Sequence, residues 1–217
     1  MKYSTIIFDL DGTLLDTSHG IMSDASYTAN KMGVEKLTID QLKSFIGPPL
    51  LESFIRECGF SKEDARKAVE LYRERYKEKG LYQAELYQQI KELLILLNEN
   101  NCKTAIATLK RDDFAKKMIT HFDLSPYFNS INGIDEKDTH SKFDIILMCL
   151  KELIQDDLSE VVMIGDSIYD AKGAEQAGID FIAVTYGYGF RNKEEASLVK
   201  NVYIAENVDD VIRFLIH

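Results

Sequence analysis

The chain has no tryptophan, three prolines and three cysteines among its 217 residues. Cys58, Cys102 and Cys149 are odd in number and far apart, which fits neither a zinc-ligand spacing nor a disulfide framework. Free thiols of this kind belong in a reducing compartment, so a cytoplasmic protein is expected. Long apolar runs are also missing. Stretches such as Ile145 to Leu150 fall far short of the roughly 20 apolar residues that cross a bilayer. Met1-Lys2-Tyr3 leads straight into a strand pattern, with no basic and apolar leader segment. There is no basic excess: 26 Lys and Arg against 36 Asp and Glu give a net charge of −10. Such a chain gains little from counterion release, which argues against nucleic acid as a partner. Internal repeats and low-complexity tracts are absent, and the only prolines are Pro48, Pro49 and Pro126.

What is present is a hydrophobic fraction of 45%, enough for one large domain or two small ones. The most informative stretch is residues 5 to 13. Ile6, Ile7 and Phe8 form a short apolar run that stops at a turn signal, Gly12, and so reads as a buried strand. Asp9 and Asp11 follow where the strand gives out. In an open α/β sheet, ligands bind beyond the carboxyl ends of strands. A carboxylate pair there can hold a hard cation, or divide the roles of nucleophile and acid, if the backbone coils at Leu10. The alternative is that both residues only cap a turn, for which Asp and Gly are well suited.

From Asp16 to about Gly80 the pattern is helical. Leu42, Phe45, Ile46, Leu50, Leu51, Phe54 and Ile55 recur at helical spacing, interrupted at Gly47-Pro48-Pro49, where two helices meet. Ser61 lies three residues before Asp64 and marks the start of a further helix carrying Ala65, Ala68, Val69, Tyr72 and Tyr76. Beyond Tyr87, strands and helices alternate. Helices are expected at 90–97, 112–121, 143–153 (Ile146, Leu147 and Leu150 inward), 168–177 and 208–215. Strands are expected at 103–108, 128–131, 160–164, 180–184 and 202–204. Alternation of this kind implies a parallel sheet with right-handed crossovers. The expected fold class is therefore α/β: a Rossmann-like parallel sheet core flanked by helices (1–15 and 83–217), with an inserted all-helical cap domain (16–82).

Four strand ends then bring polar groups to one edge of the sheet. The first supplies Asp9 and Asp11. The second supplies Thr108, with Lys110 and Arg111 just after. Lys142 opens the helix after the third, and the fourth supplies Gly165-Asp166-Ser167 and Asp170. Asp166 or Ser167 could simply cap a helix. Beside Asp9 and Asp11, however, Asp166 and Asp170 suit Mg²⁺, which takes oxygen ligands from one or two carboxylates plus a substrate phosphate. Thr108 and Lys142 could bind phosphate oxygens, helped by the helix start at Ser141-Lys142. Gly187-Tyr188-Gly189 lacks the third glycine of a nucleotide loop and reads as a turn over the edge of the site.

Asp9-Leu10-Asp11-Gly12-Thr13, with Thr108, Lys142 and Asp166/Asp170 following in order, resembles the motif set of the haloacid dehalogenase superfamily of phosphotransferases. The similarity spans essentially the whole chain and looks closest to phosphoglycolate phosphatase-like members with a helical cap. Ile46-Gly47-Pro48-Pro49-Leu50, Tyr72-Arg73-Glu74-Arg75-Tyr76 and Gly80-Leu81-Tyr82 are similar to stretches of that group. The resemblance implies Asp9 as nucleophile, Asp11 as acid/base, and Thr108 and Lys142 as phosphate and charge partners. It implies Mg²⁺ held by Asp9, the Asp11 carbonyl and Asp166, with Asp170 at the edge. Two departures stand out. Tyr87-Gln88-Gln89 replaces the Tyr-Pro-Gly of many relatives, and Phe143 follows Lys142 where many carry Pro. The second leaves Lys137 as a competitor for the lysine role, with Lys110 behind it.

The implied activity is Mg²⁺-dependent hydrolysis of a small phosphorylated metabolite through an aspartyl-phosphate, by a monomer or homodimer. On the same core, a β-phosphoglucomutase-like mutase, a nucleotidase or a pyrophosphatase are the alternatives. A phospho-Asp signalling domain shares the Asp, Thr and Lys pattern but lacks both the helical insertion and an acid/base at the Asp11 position. The cap is expected to set substrate choice, with Lys43, Arg56 and His19 as weak candidates for contact with the leaving group.

Overall fold

The computed structural model describes residues 1–216. The chain forms two compact units: residues 1–15 with 86–217, and residues 16–85. The two crossings between them are short strands, β2 (Leu15–Asp16) and β3 (Glu85–Leu86).

The larger unit is built on a six-stranded sheet. Its strands are β1 (Thr5–Phe8), β4 (Lys103–Arg111), β5 (Ser130–Ile134), β6 (Val161–Gly165), β7 (Asp180–Val184) and β8 (Tyr203–Ala205). They run in the order β5-β4-β1-β6-β7-β8, and every pairing is parallel. All four residues of β1 and all five of β6 are buried, as continuous apolar runs covered on both faces require. The helices are α5 (Ile90–Glu99), α6 (Asp112–His121), α7 (Lys142–Glu152), α8 (Ile168–Ala177), the short α9 (Lys193–Ala196) and α10 (Val208–Ile216). Ile7, Ala105, Met163 and Phe181 from the sheet pack with Ile145, Ile146 and Cys149 of α7 and Ala171 and Ala174 of α8 in one buried cluster. The strand order reverses at β1: the chain goes out to β4 and β5, then returns to β6 on the other side. Such switch points leave a crevice at the carboxyl ends of the strands.

Two sequence expectations shift here. The strand placed at 128–131 lies at Ser130–Ile134 instead. A 3-10 turn at Ser125–Tyr127, started by Pro126, runs up to Phe128, and the ladder begins only where Ser130 pairs with Ala105. In α7, Leu147 is 42% exposed rather than inward. The buried face is set by Ile145, Ile146, Cys149 and Leu150. Gln89 takes a left-handed conformation at φ 68° ahead of α5.

The smaller unit is helical: α1 (Ser18–Lys31), α2 (Ile39–Lys43), α3 (Leu50–Cys58), α4 (Lys62–Glu78) and a 3-10 turn at Gly80–Tyr82. Ser61 caps α4 by accepting the Asp64 amide at 3.1 Å. Phe45, Phe54, Tyr72 and Tyr76 fill the core with edge-on and stacked rings, so the tyrosine face of α4 is interior. Lys43 and His19 are exposed, and Arg56 is engaged by Glu57 and the Ser44 carbonyl.

Asp24 on α1 is fully buried and accepts Arg75 Nε of α4 at 2.6 Å. The Arg75 guanidinium also lies 3.9 Å from the Tyr27 ring centroid. Burial pushes the Asp24 carboxyl up, and Arg75 pulls it back. Arg75→Met should therefore cost about 3 kcal/mol in urea denaturation, because it leaves a buried carboxylate without its cation. The lower end of the usual range applies because Arg75 is partly exposed. Asp24→Asn, which removes the charge itself, should cost less.

Candidate active site

The geometry starts at the end of β1. The Asp9 amide continues the sheet by donating to Ile164 O at 2.9 Å. The chain then coils: the Leu14 and Leu15 amides both return to the Leu10 carbonyl at 3.0 Å. Gly12 closes this coil with φ +81°, and a Cβ there would overlap the Asp166 carboxylate. Only glycine meets both demands, a left-handed backbone and a carboxylate in contact.

The coil separates the two aspartates. Asp9 goes to Lys142, whose Nζ lies 2.6 Å from Asp9 Oδ1 and 2.7 Å from Asp170 Oδ1, and donates to the Ala107 carbonyl at 2.8 Å. Asp11 goes to Lys110, whose Nζ donates to both carboxylate oxygens at 3.0 and 2.9 Å. Each pair is nearly buried, with side-chain exposures of 4% and 6% for Lys142 and Asp9, and 6% and 8% for Lys110 and Asp11. Asp11 thus sits beside the cluster, on its own cation.

Lys142 is placed by the start of α7. Ser141 caps that helix, accepting the Asp144 amide, while Asp144 accepts the Ser141 amide in return. Asp135, just past β5, holds the preceding loop by accepting the Thr139 and His140 amides at 2.7 and 3.0 Å. Desolvation is the largest single effect and raises its carboxyl, but the His140 and Thr139 amides and the Thr139 hydroxyl together outweigh it and bring the carboxyl down to about 2. Lys137, in that loop, is exposed; of the two lysines, Lys142 is the one beside Asp9.

Asp166 and Asp170 come from the end of β6 and the first turn of α8. Ser167 is the helix cap: its hydroxyl donates to Asp170 Oδ2 at 2.6 Å and its amide to the same oxygen at 3.0 Å. Ser167 is therefore the helix cap, while Asp170 belongs both to its capping box and to the group of buried carboxylates. Asp170 has one oxygen committed to Ser167 and the other beside Lys142, which suits it to orient the lysine. Asp166 Oδ2 accepts the amides of Tyr188 and Gly189 at 2.7 and 3.0 Å, while its Oδ1 is buried without a hydrogen-bond partner.

Asp9, Asp166 and Asp170 each offer a carboxylate oxygen within 4.8 Å of the others. Three buried carboxylates against one ammonium are electrostatically incomplete. Burial raises the Asp9 carboxyl to about 7, with Lys142 opposing. Burial, then the charges of Asp170 and Asp9, raise Asp166 to about 8. Burial alone would lower Lys142, but Asp170 and Asp9 outweigh it and hold the ammonium firmly protonated. A hard divalent cation fits this donor set: all-oxygen, net negative, with the unpartnered Asp166 Oδ1 available.

Thr108 is buried in β4. The expected strand end at Thr108 moves on to Arg111, with an irregularity in register between Ala107 and Arg111. The Thr108 hydroxyl accepts the Lys110 amide at 3.2 Å. Lys110 is the weakest of the candidate lysines by sequence. Its one trace in the sequence is its place just past the expected strand end at Thr108.

A model of the haloacid dehalogenase-like hydrolase family matches residues 6–184. A 5'-nucleotidase of Pseudomonas aeruginosa is 33% identical over 90% of this chain and 89% of its own length. A putative pyrophosphatase, PpaX, of Caldanaerobacter subterraneus is 32% identical over 86% and 83%. The crystal structure of a predicted phosphatase from Clostridium acetobutylicum superposes with a TM-score of 0.92 at 33% identity, over 99% of this chain and 98% of the other. Among the described residues no helix is long and apolar enough to cross a membrane.

Proposed function

The chain belongs to the haloacid dehalogenase-like hydrolase family, and from that premise we propose that it is a Mg²⁺-dependent phosphatase releasing phosphate from a small-molecule phosphomonoester through an aspartyl-phosphate on Asp9. The observation that carries this reading is the buried set Asp9, Asp166, Asp170 and Lys142, with a second carboxylate, Asp11, two residues from the first and on a separate cation.

In the first step an Asp9 oxygen bonds to phosphorus as the bond to the leaving oxygen breaks. Asp11, in its acid form and turned away from Lys110, gives that leaving oxygen a proton and is left as the carboxylate. In the second step Asp11 takes a proton from water, whose oxygen attacks the same phosphorus, and phosphate leaves as the Asp9 carboxylate is restored. Lys142 offsets charge on Asp9 and on the incoming phosphoryl group. Lys110 holds Asp11 apart from Asp9, so that one carboxylate attacks while the other handles the proton. The Thr108 hydroxyl accepts the Lys110 amide and donates its own proton in a hydrogen bond to a phosphate oxygen. Asp9, the Asp11 carbonyl and Asp166 would hold Mg²⁺, with Asp170 orienting Lys142 at the edge. When bound, the ion would screen carboxylate from phosphate and stabilise the charge that develops on the phosphoryl oxygens.

Phosphoglycolate is the first substrate to test, on the sequence resemblance. Nucleoside monophosphates, pyrophosphate and sugar phosphates follow, on the relatives' names and the shared core. Phosphate release should be measured across this panel, with p-nitrophenyl phosphate included, with Mg²⁺ and with chelator. Turnover of at least one member that stops with chelator supports the reading. No release from any member by folded, Mg²⁺-supplied protein would overturn it and favour a mutase or a phospho-Asp signalling domain.

A further inference from the structure

The segment after β7 is not needed for the chemistry above, yet it spends most of its polar groups on one residue. Three consecutive amides point at Asp166: Tyr188 and Gly189 donate to its Oδ2 at 2.7 and 3.0 Å, and Phe190 donates to its carbonyl at 2.7 Å. The other carboxylate oxygen, Oδ1, is buried with no hydrogen-bond partner. The segment is also tied to the coil after β1. The Tyr186 hydroxyl donates to the Thr13 carbonyl at 3.0 Å, and its ring meets Tyr87 edge-on at 4.9 Å. A Cβ at Gly187 would overlap both the Gly12 carbonyl and the Asp166 carboxylate.

We propose that residues 186–190 are a positioning clamp for the cation site. The clamp fixes Asp166 through Oδ2 and its own carbonyl, which leaves Oδ1 as the ligand atom in a set orientation. Tyr186 latches the clamp to the Asp9–Thr13 coil, and Gly187 allows the two to approach. The inference rests on the Mg²⁺ reading proposed above. A carboxylate free to rotate would bind with either oxygen and lose part of its affinity in being ordered; outer partners that remove this freedom usually matter about 10–100-fold in metal affinity. The sequence pattern Gly187-Tyr188-Gly189 thus has a use without a nucleotide: two small residues let the backbone reach a buried carboxylate.

The test is calorimetric titration of the full-length chain with MgCl₂ alone, for the native protein, Tyr186→Phe and Gly187→Ala, beside thermal melts without Mg²⁺. Both variants should bind Mg²⁺ about tenfold or more weakly. Tyr186→Phe, which deletes only one hydroxyl, should change the ion-free melting temperature little. A purely structural role would show the reverse: a lowered melt and an unchanged affinity. Mg²⁺ affinity of Tyr186→Phe within twofold of native would overturn the clamp, and this variant decides the matter alone if Gly187→Ala does not fold. Absence of Mg²⁺ binding by the native chain is a different outcome: it would overturn the metal reading itself, and the clamp with it.

Discussion

Asp9→Asn should abolish phosphate release, by about 10⁴-fold or more, as expected when a nucleophile that acts as one unit with its partners is removed. Asparagine keeps the size of the side chain and an oxygen to accept from Lys142, so the site should keep its shape. It lacks the carboxylate oxygen that attacks phosphorus. The charge balance makes the comparison clean. Asp9 is one of three buried carboxylates sharing one ammonium, and burial holds its pKa well above the ordinary range, at about 7. Removing its charge relieves the ion-free fold, so stability in urea should be equal to or above that of the native chain. Inactivity with undiminished stability assigns the loss to chemistry. A variant that retained more than about one-tenth of the native rate would remove Asp9 from the nucleophile role.

Lys142→Met should be the most costly substitution in the larger unit for folding and activity together. The ammonium touches Asp9 Oδ1, Asp170 Oδ1 and the Ala107 carbonyl, and its side chain is 4% exposed. Methionine fills the space but leaves two buried carboxylates facing each other and a carbonyl without its donor. Breaking a buried pair from one side costs about 3–5 kcal/mol, and urea denaturation without Mg²⁺ should show a loss of that order. Activity should fall by about 10²-fold or more through lost charge stabilisation. Lys137→Met is the matched control. That residue is exposed, and its replacement should stay within about 0.5 kcal/mol of native. Equal effects at the two positions would contradict the assignment of Lys142.

Much of this was legible in the chain because it is local. The apolar run Ile6-Ile7-Phe8 before Asp9, and Val161 to Ile164 before Asp166, read as buried strands since a parallel sheet buries both faces. The bounds of α6 and α8 coincide with those expected, at 112–121 and 168–177. The insertion of helices after the first strand followed from a change of period. What escaped was set by distant partners. Nothing near Asp11 announces that its cation lies 99 residues away at Lys110. Nor does the sequence show that Asp9 and Asp11 divide between two lysines, because that depends on how the chain coils at Leu10. Tyr188 and Gly189 act through backbone amides, which every residue carries, so their role left only the spacing of two glycines as a trace. The strand at Ser130–Ile134 was displaced because the turn at Pro126 consumes residues that look like strand.

In the proposed reaction, phosphoryl passes to Asp9 before it reaches water. The most direct measurement is to quench the enzyme with acid during turnover of its best substrate, reduce with borohydride and read the peptide that contains residues 5–13 by mass spectrometry. An acyl phosphate at Asp9 is reduced to homoserine, whereas an unmodified carboxylate is not. Homoserine is expected at position 9, dependent on substrate and Mg²⁺ and with Asp11 unchanged. Steady release of phosphate with no modification at Asp9 under the same quench would contradict it, and would point to direct attack by water.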